Sequence, residues 1–150
     1  MKWIVLAGSS DTRKTWTLTE VVIALVNTCG ARLVSPETLP TPHPATGTKK
    51  WPYYDEDTYE LLYRGKRIIV ETAGDWPHVV DGGFKNAKKH NADVLISSTH
   101  ARGGSRHIAT IDGKLSSNSV EVYVIAALRH SFGTMPKVVN WRVQQIIGML

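Results

Sequence analysis

Three stretches of the 150-residue chain carry side chains suited to chemistry. The first is Gly8-Ser9-Ser10-Asp11-Thr12-Arg13-Lys14-Thr15, set between an apolar run, Trp3 to Leu6, and a segment from Trp16 to Asn27 with apolar residues at helical spacing. A glycine-anchored loop that enters a helix presents successive backbone N–H groups to an anion, and the helix dipole adds to the attraction. The second is Ile68-Ile69-Val70-Glu71-Thr72-Ala73-Gly74-Asp75, an apolar strand ending in a carboxylate with another carboxylate four residues on. The third runs from Ser98 to His107, where His100, Arg102, Arg106 and His107 surround Gly103-Gly104.

The first stretch resembles the phosphate-binding loop of P-loop NTPases, the Walker A motif of glycine, four variable residues, glycine, lysine, then serine or threonine. Gly8, Lys14 and Thr15 fall on that pattern, and Arg13 stands where the family has glycine. The resemblance covers about the first two-thirds of the chain. It implies that Gly8, Ser9, Ser10, Asp11, Thr12, Arg13, Lys14 and Thr15 bind ATP or another nucleoside triphosphate. Lys14 would bridge the outer phosphates and Thr15 would hold Mg2+. The second stretch looks like the Walker B element, which the family places beside the first strand. Glu71, with Thr15 as the metal-holding pair, is the first choice to orient magnesium or polarise the attacking group, and Asp75 the second. The Glu71-to-Gly74 spacing is similar to an acid-x-x-glycine element whose glycine N–H senses the terminal phosphate. The third stretch looks like the arginine-bearing lid, over 98–107, of P-loop nucleotide and small-molecule kinases. There Arg102 and Arg106 would neutralise developing charge while the lid excludes water. The kinase branch is the most similar. It implies a three-layer α/β/α sandwich with a mostly parallel sheet, and a phosphotransferase or NTPase acting on a small nucleotide-like acceptor.

Other readings stand beside these. Arg13 either points away or helps to hold phosphate, or the loop takes a different anion, or the site is a relic with structural value only. Arg13 therefore favours a second function class, a nucleotide-binding regulator without turnover. Glu71 could be a strand-end carboxylate in a salt bridge, Asp75 a turn cap, and the 98–107 stretch a solvated basic loop. Trp51, Tyr53, Tyr54 and Tyr59 beside Lys49-Lys50 could form a substrate wall or pack beneath a long loop. The net charge of +5 and pI near 9.4 suit an anionic partner. With no long basic run, a nucleic-acid-binding accessory protein is not favoured. His100 and His107 lack further ligands at zinc spacing, and no serine–histidine–acid triad follows from spacing.

The elements that must position these groups can be read in outline. A composition of 42% hydrophobic and 21% charged residues is that of one soluble domain. No apolar run reaches the roughly 18–20 residues of a membrane span, and the N-terminal run is too short for a secretory core. The lone Cys29 falls on an apolar helix face, where it packs, so a reducing cytoplasm is expected. The pattern predicts strands over Lys2–Ala7, Ala31–Ser35, Lys66–Ala73 and Asp93–Ser97. Helices are expected from Trp16 to Cys29, over Asp55–Arg64, Phe84–His90 and Ser119–Arg129, and from Arg142 to Met149 after a strand at Val138-Val139. Five of the seven prolines lie in 35–54, which predicts a long irregular loop.

Overall fold

The computed structural model describes residues 1–9, 12–44, 51–100, 120–129 and 133–150. Strand β1 (Lys2–Gly8) enters helix α1 (Lys14–Asn27) through the glycine-anchored loop. Then follow β2 (Arg32–Ser35), β3 (Thr58–Tyr63), β4 (Lys66–Glu71), helix α2 (Pro77–Lys89), β5 (Val94–His100), β6 (Glu121–Ala127) and helix α3 (Met135–Gly148). The six strands form one mixed sheet in the order β2-β3-β4-β5-β1-β6. β1 is parallel to β5 and β6, β5 is parallel to β4, and only β3 is reversed, antiparallel to both β2 and β4.

β1 is buried on both faces because its side chains alternate between two cores. Ile4 and Leu6 join Ile68, Val70 and Ile96 beneath α1 and α3, contributing to a cluster with Leu18, Val22, Leu25, Val139 and Ile146. Trp3 and Val5 join Ile69 and Leu95 against Val80, Phe84 and Ala87 of α2. Helices therefore cover both faces. From β1 the chain crosses to β2 in one direction, and from β4 to β5 in the other, so crossovers of one hand place α1 and α2 on opposite sides. No helix among the described residues is long and apolar enough to cross a membrane.

Five expectations are corrected. Asp55–Arg64 is not a helix: Tyr59, Leu61 and Tyr63 are buried in strict alternation, the period of strand β3. Arg64 and Gly65 form the turn of a two-residue hairpin, with positive φ (50° and 73°). Ser119–Arg129 holds β6 instead of a helix, its β-branched and aromatic residues pairing along the whole of β1. Val138-Val139 is no strand but lies within α3, which starts at Pro136's permitted first-turn position. Finally, β4 does not lie beside β1, because β5 runs between them. Helix α2 also begins seven residues before the expected Phe84, its early turns masked in the sequence by Gly82-Gly83.

Candidate functional site

The C-terminal ends of β1, β4, β5 and β6 share one edge of the sheet, and reversed β3 begins at that same edge. In an open α/β sheet this is where ligands bind, at the point where successive connections diverge. An open cavity of about 480 Å³ lies there, lined by Thr12, Arg13, Lys14, Thr15, Trp16, Pro52, Tyr53, Tyr54, Glu56, Asp75 and His100.

The loop after β1 is held by its own side chains. Gly8 pairs in register with His100 on one side and Ala127 on the other. A Cβ at Gly8 would collide with the Ala127 carbonyl and lie 2.8 Å from Thr12 Oγ1, so glycine is required by close approach. Thr12 donates from its hydroxyl to Ser9 O (2.9 Å). Lys14, 7% exposed, donates from Nζ to Gly8 O (3.1 Å) and Ser9 O (2.9 Å). Arg13 is the N-cap of α1 in left-handed conformation (φ 60°, ψ 41°), and its side chain does not cap the helix. The first-turn N–H groups at Lys14, Thr15 and Trp16 belong to a helix whose first turn carries no acidic residue.

Arg142 supports this loop from behind. Its guanidinium, 1% exposed, donates to Thr12 O (2.7 Å) and to Leu128 O just past β6 (2.9 Å). Burial pulls it below the ordinary arginine value. The sequence reading missed Arg142, although one signal was present: it falls in the apolar stripe Met135, Val139, Val143, Ile146 of α3.

From the other side, Thr15 donates from Oγ1 to Thr72 O (3.3 Å). The Thr72 hydroxyl donates to Asp57 O and accepts from Asp57 N (3.0 and 2.8 Å), which draws Glu56 and Tyr54 to the cavity. His100 Nε2 lies 2.8 Å from Asp75 Oδ1, joining the end of β5 to the loop after β4. Gly74 has no room for a side chain because the Ser98 carbonyl occupies that space. Glu56 is pushed above the ordinary carboxylate range by burial and then by nearby Asp75.

Glu71 is placed elsewhere. It alternates with Val70, so it shares the α2 face of the sheet with Ile69 and does not line the cavity. Its carboxylate accepts from the Thr58 hydroxyl (2.6 Å) and from Ala73 N (3.2 Å), and its stem packs where a Gly83 Cβ would stand (3.2 Å). Burial raises its pKa, an effect the Thr58 and Ala73 hydrogen bonds oppose.

The structure thus brings together Gly8, Thr12, Arg13, Lys14, Thr15 and, across the cavity, Asp75. It brings His100 of the third stretch to the same cavity, adds Trp16, Glu56 and, behind the loop, Arg142, and leaves Glu71 outside the cavity that Thr15 lines. Ser9 contributes its carbonyl to Lys14. Ser10, Asp11, Arg102, Arg106 and His107 lie outside the described residues, as do Lys49-Lys50. Among the described residues no cluster of three or more histidine, cysteine or acidic side chains could hold a metal ion. Compared with family models, with curated proteins and with solved structures, the chain matches none.

Proposed function

We propose that this protein binds the phosphates of a nucleoside triphosphate with magnesium at the α1 N-terminus and acts as a P-loop phosphotransferase or NTPase on a small acceptor. The observation that carries the reading is the backbone at Arg13. The residue that departs from the glycine pattern nevertheless adopts the left-handed conformation glycine favours, and α1 starts at Lys14 directly after it. The residues fit such a ligand. Lys14 Nζ sits over the loop carbonyls, Lys14, Thr15 and Trp16 of the first turn line the cavity, and Arg13 adds a second cation. Thr15, with Asp75 or Glu56, are the residues that would hold magnesium, which when bound neutralises charge between the outer phosphates. With Glu56 and Thr15 holding the metal, Asp75, paired with His100, would be the group that accepts a proton from an attacking hydroxyl. Arg102 and Arg106 keep their proposed role of meeting charge on the transferred group.

A second reading, nucleotide binding without turnover, is favoured by the position of Glu71, on the sheet face opposite Thr15. Both readings require the same site. The test is thermal unfolding with and without magnesium-ATP for the wild type and Lys14→Ala. A ligand at 100 times its dissociation constant adds about 2.7 kcal/mol to the folded state. The expected result is a rise in midpoint for the wild type that disappears in the variant. No rise in either sinks both readings. Product formation on adding acceptors then separates enzyme from regulator.

A further inference from the structure

Residues 51–54, which lead into β3, are fastened to α1 on both sides of the pair Pro52-Tyr53. On one side Trp51 stacks on Trp16, the residue following Thr15, with ring centroids 5.7 Å apart and planes at 22°. On the other, the Tyr54 hydroxyl donates to Glu20 Oε1 of α1 (2.9 Å), the same oxygen that accepts from Trp16 Nε1 (3.3 Å). Between these anchors Tyr53 is 49% exposed and lines the cavity with Pro52, in the same enclosure as Arg13 and Lys14. Its backbone is set by the bridge to His43, whose N–H donates to Tyr53 O (2.7 Å), and its ring meets the His43 ring at 5.3 Å. A large aromatic left half-exposed on a segment bolted down at both ends is preorganised, so it can bind a flat partner without a further ordering cost. A cavity of about 480 Å³ is within the size range of sites that take a small ligand.

We infer that Tyr53 is the ring-stacking residue of this cavity, so that the ligand whose phosphates meet Lys14 carries a planar aromatic ring, as a nucleotide does and inorganic polyphosphate does not. The inference rests on the proposed phosphate site and specifies the other end of its ligand. Stacking on an aromatic face is tolerant of base identity, so the residue selects for a ring over none and discriminates little among bases.

The test is calorimetric titration of magnesium-ATP and of magnesium-tripolyphosphate into the wild type, Tyr53→Ala, Tyr53→Leu and Tyr53→Phe. Tyr53→Ala and Tyr53→Leu should each weaken ATP binding roughly 5- to 150-fold, the range found for one base–aromatic stack. Tripolyphosphate binding should stay within twofold, and Tyr53→Phe should keep ATP affinity, since the ring and not the hydroxyl is used. Tyr53→Leu preserves apolar bulk beside His43, so its loss reports the π face and not a collapsed loop. Equal losses for both probes, or none for either, overturn the inference while leaving the phosphate site standing. A wild type that binds tripolyphosphate but not ATP also overturns it. A wild type that binds neither probe removes the phosphate site itself and this inference with it.

Discussion

Arg13 shows how one residue can break a pattern and keep its geometry. Left-handed backbone costs a residue with a Cβ roughly 1–2 kcal/mol, whereas replacing it by glycine adds roughly 0.4–1 kcal/mol of unfolded-state entropy. Denaturant titration should therefore find Arg13→Gly about 0.5–1 kcal/mol more stable than the wild type. Arg13→Val should be less stable, because a β-branched residue tolerates positive φ worst. Magnesium-ATP binding should survive Arg13→Gly, since the donors are backbone groups. Glu71 is the complementary case, a residue whose type suggests metal chemistry and whose side chain does not line the cavity. Its pKa lies above the carboxylate value of 4.5, chiefly through burial. The folded state holds its proton more tightly than the unfolded chain does. Its contribution to stability is therefore complete below about pH 4.5 and is lost as pH rises through the raised value. The unfolding midpoint of Glu71→Gln relative to wild type should thus increase from pH 4 to pH 7, and a flat or falling difference would count against the burial argument. The same variant should bind magnesium-ATP within threefold of wild type. That Lys14 and Thr15 stand together at the start of α1 was legible from spacing, because neighbouring positions at a helix start are held together by local geometry. Which way Glu71 faces depends on strand phase, and a run of four apolar residues hides that phase.

At the scale of elements, α3 acts on the loop after β1 through a single side chain. Arg142 supplies donors to two carbonyls on separate segments, Thr12 O and Leu128 O. Each hydrogen bond to a charged group contributes roughly 1.5–3 kcal/mol, partly offset by the cost of burying the guanidinium. Arg142→Met should therefore destabilise the fold by about 2 kcal/mol. Hydrogen exchange should show the added opening first at the α1 start and the end of β6, and a uniform change across the sheet would contradict a local clamp. Misread elements have a common physical origin. Tyr59, Leu62 and Tyr63 satisfy helical spacing, yet Tyr59, Leu61 and Tyr63 satisfy strand spacing equally well, and the Arg64-Gly65 turn decides between them. Helix α2 carries Gly82-Gly83, poor helix formers; a Cβ at Gly83 would crowd the Glu71 stem (3.2 Å), whereas one at Gly82 would meet open space.

For the whole molecule, the order of strands determines what the site can contain. Since β5 separates β4 from β1, His100 stands in register with Gly8, and it becomes the neighbour of the loop while Glu71 does not. Since β3 is reversed, residues 52–56 return to the same edge as the parallel strand ends and bring Tyr53, Tyr54 and Glu56 with them. By itself the sequence determined the strand β1 and helix α1 around the glycine-anchored loop, the β5 strand, the irregular character of the described residues 36–44 and 51–54, and the placing of helices on both faces of an α/β sheet. Those follow from local rules: apolar runs, helical spacing, prolines and a glycine before a lysine. Only the tertiary structure decided that the sheet is mixed, that β6 is a strand, that Tyr53, Glu56 and His100 line one cavity with Lys14, and that Arg142 supports the loop behind it. The reason is that strand order and register arise from contacts between segments far apart in the chain, which no local periodicity encodes.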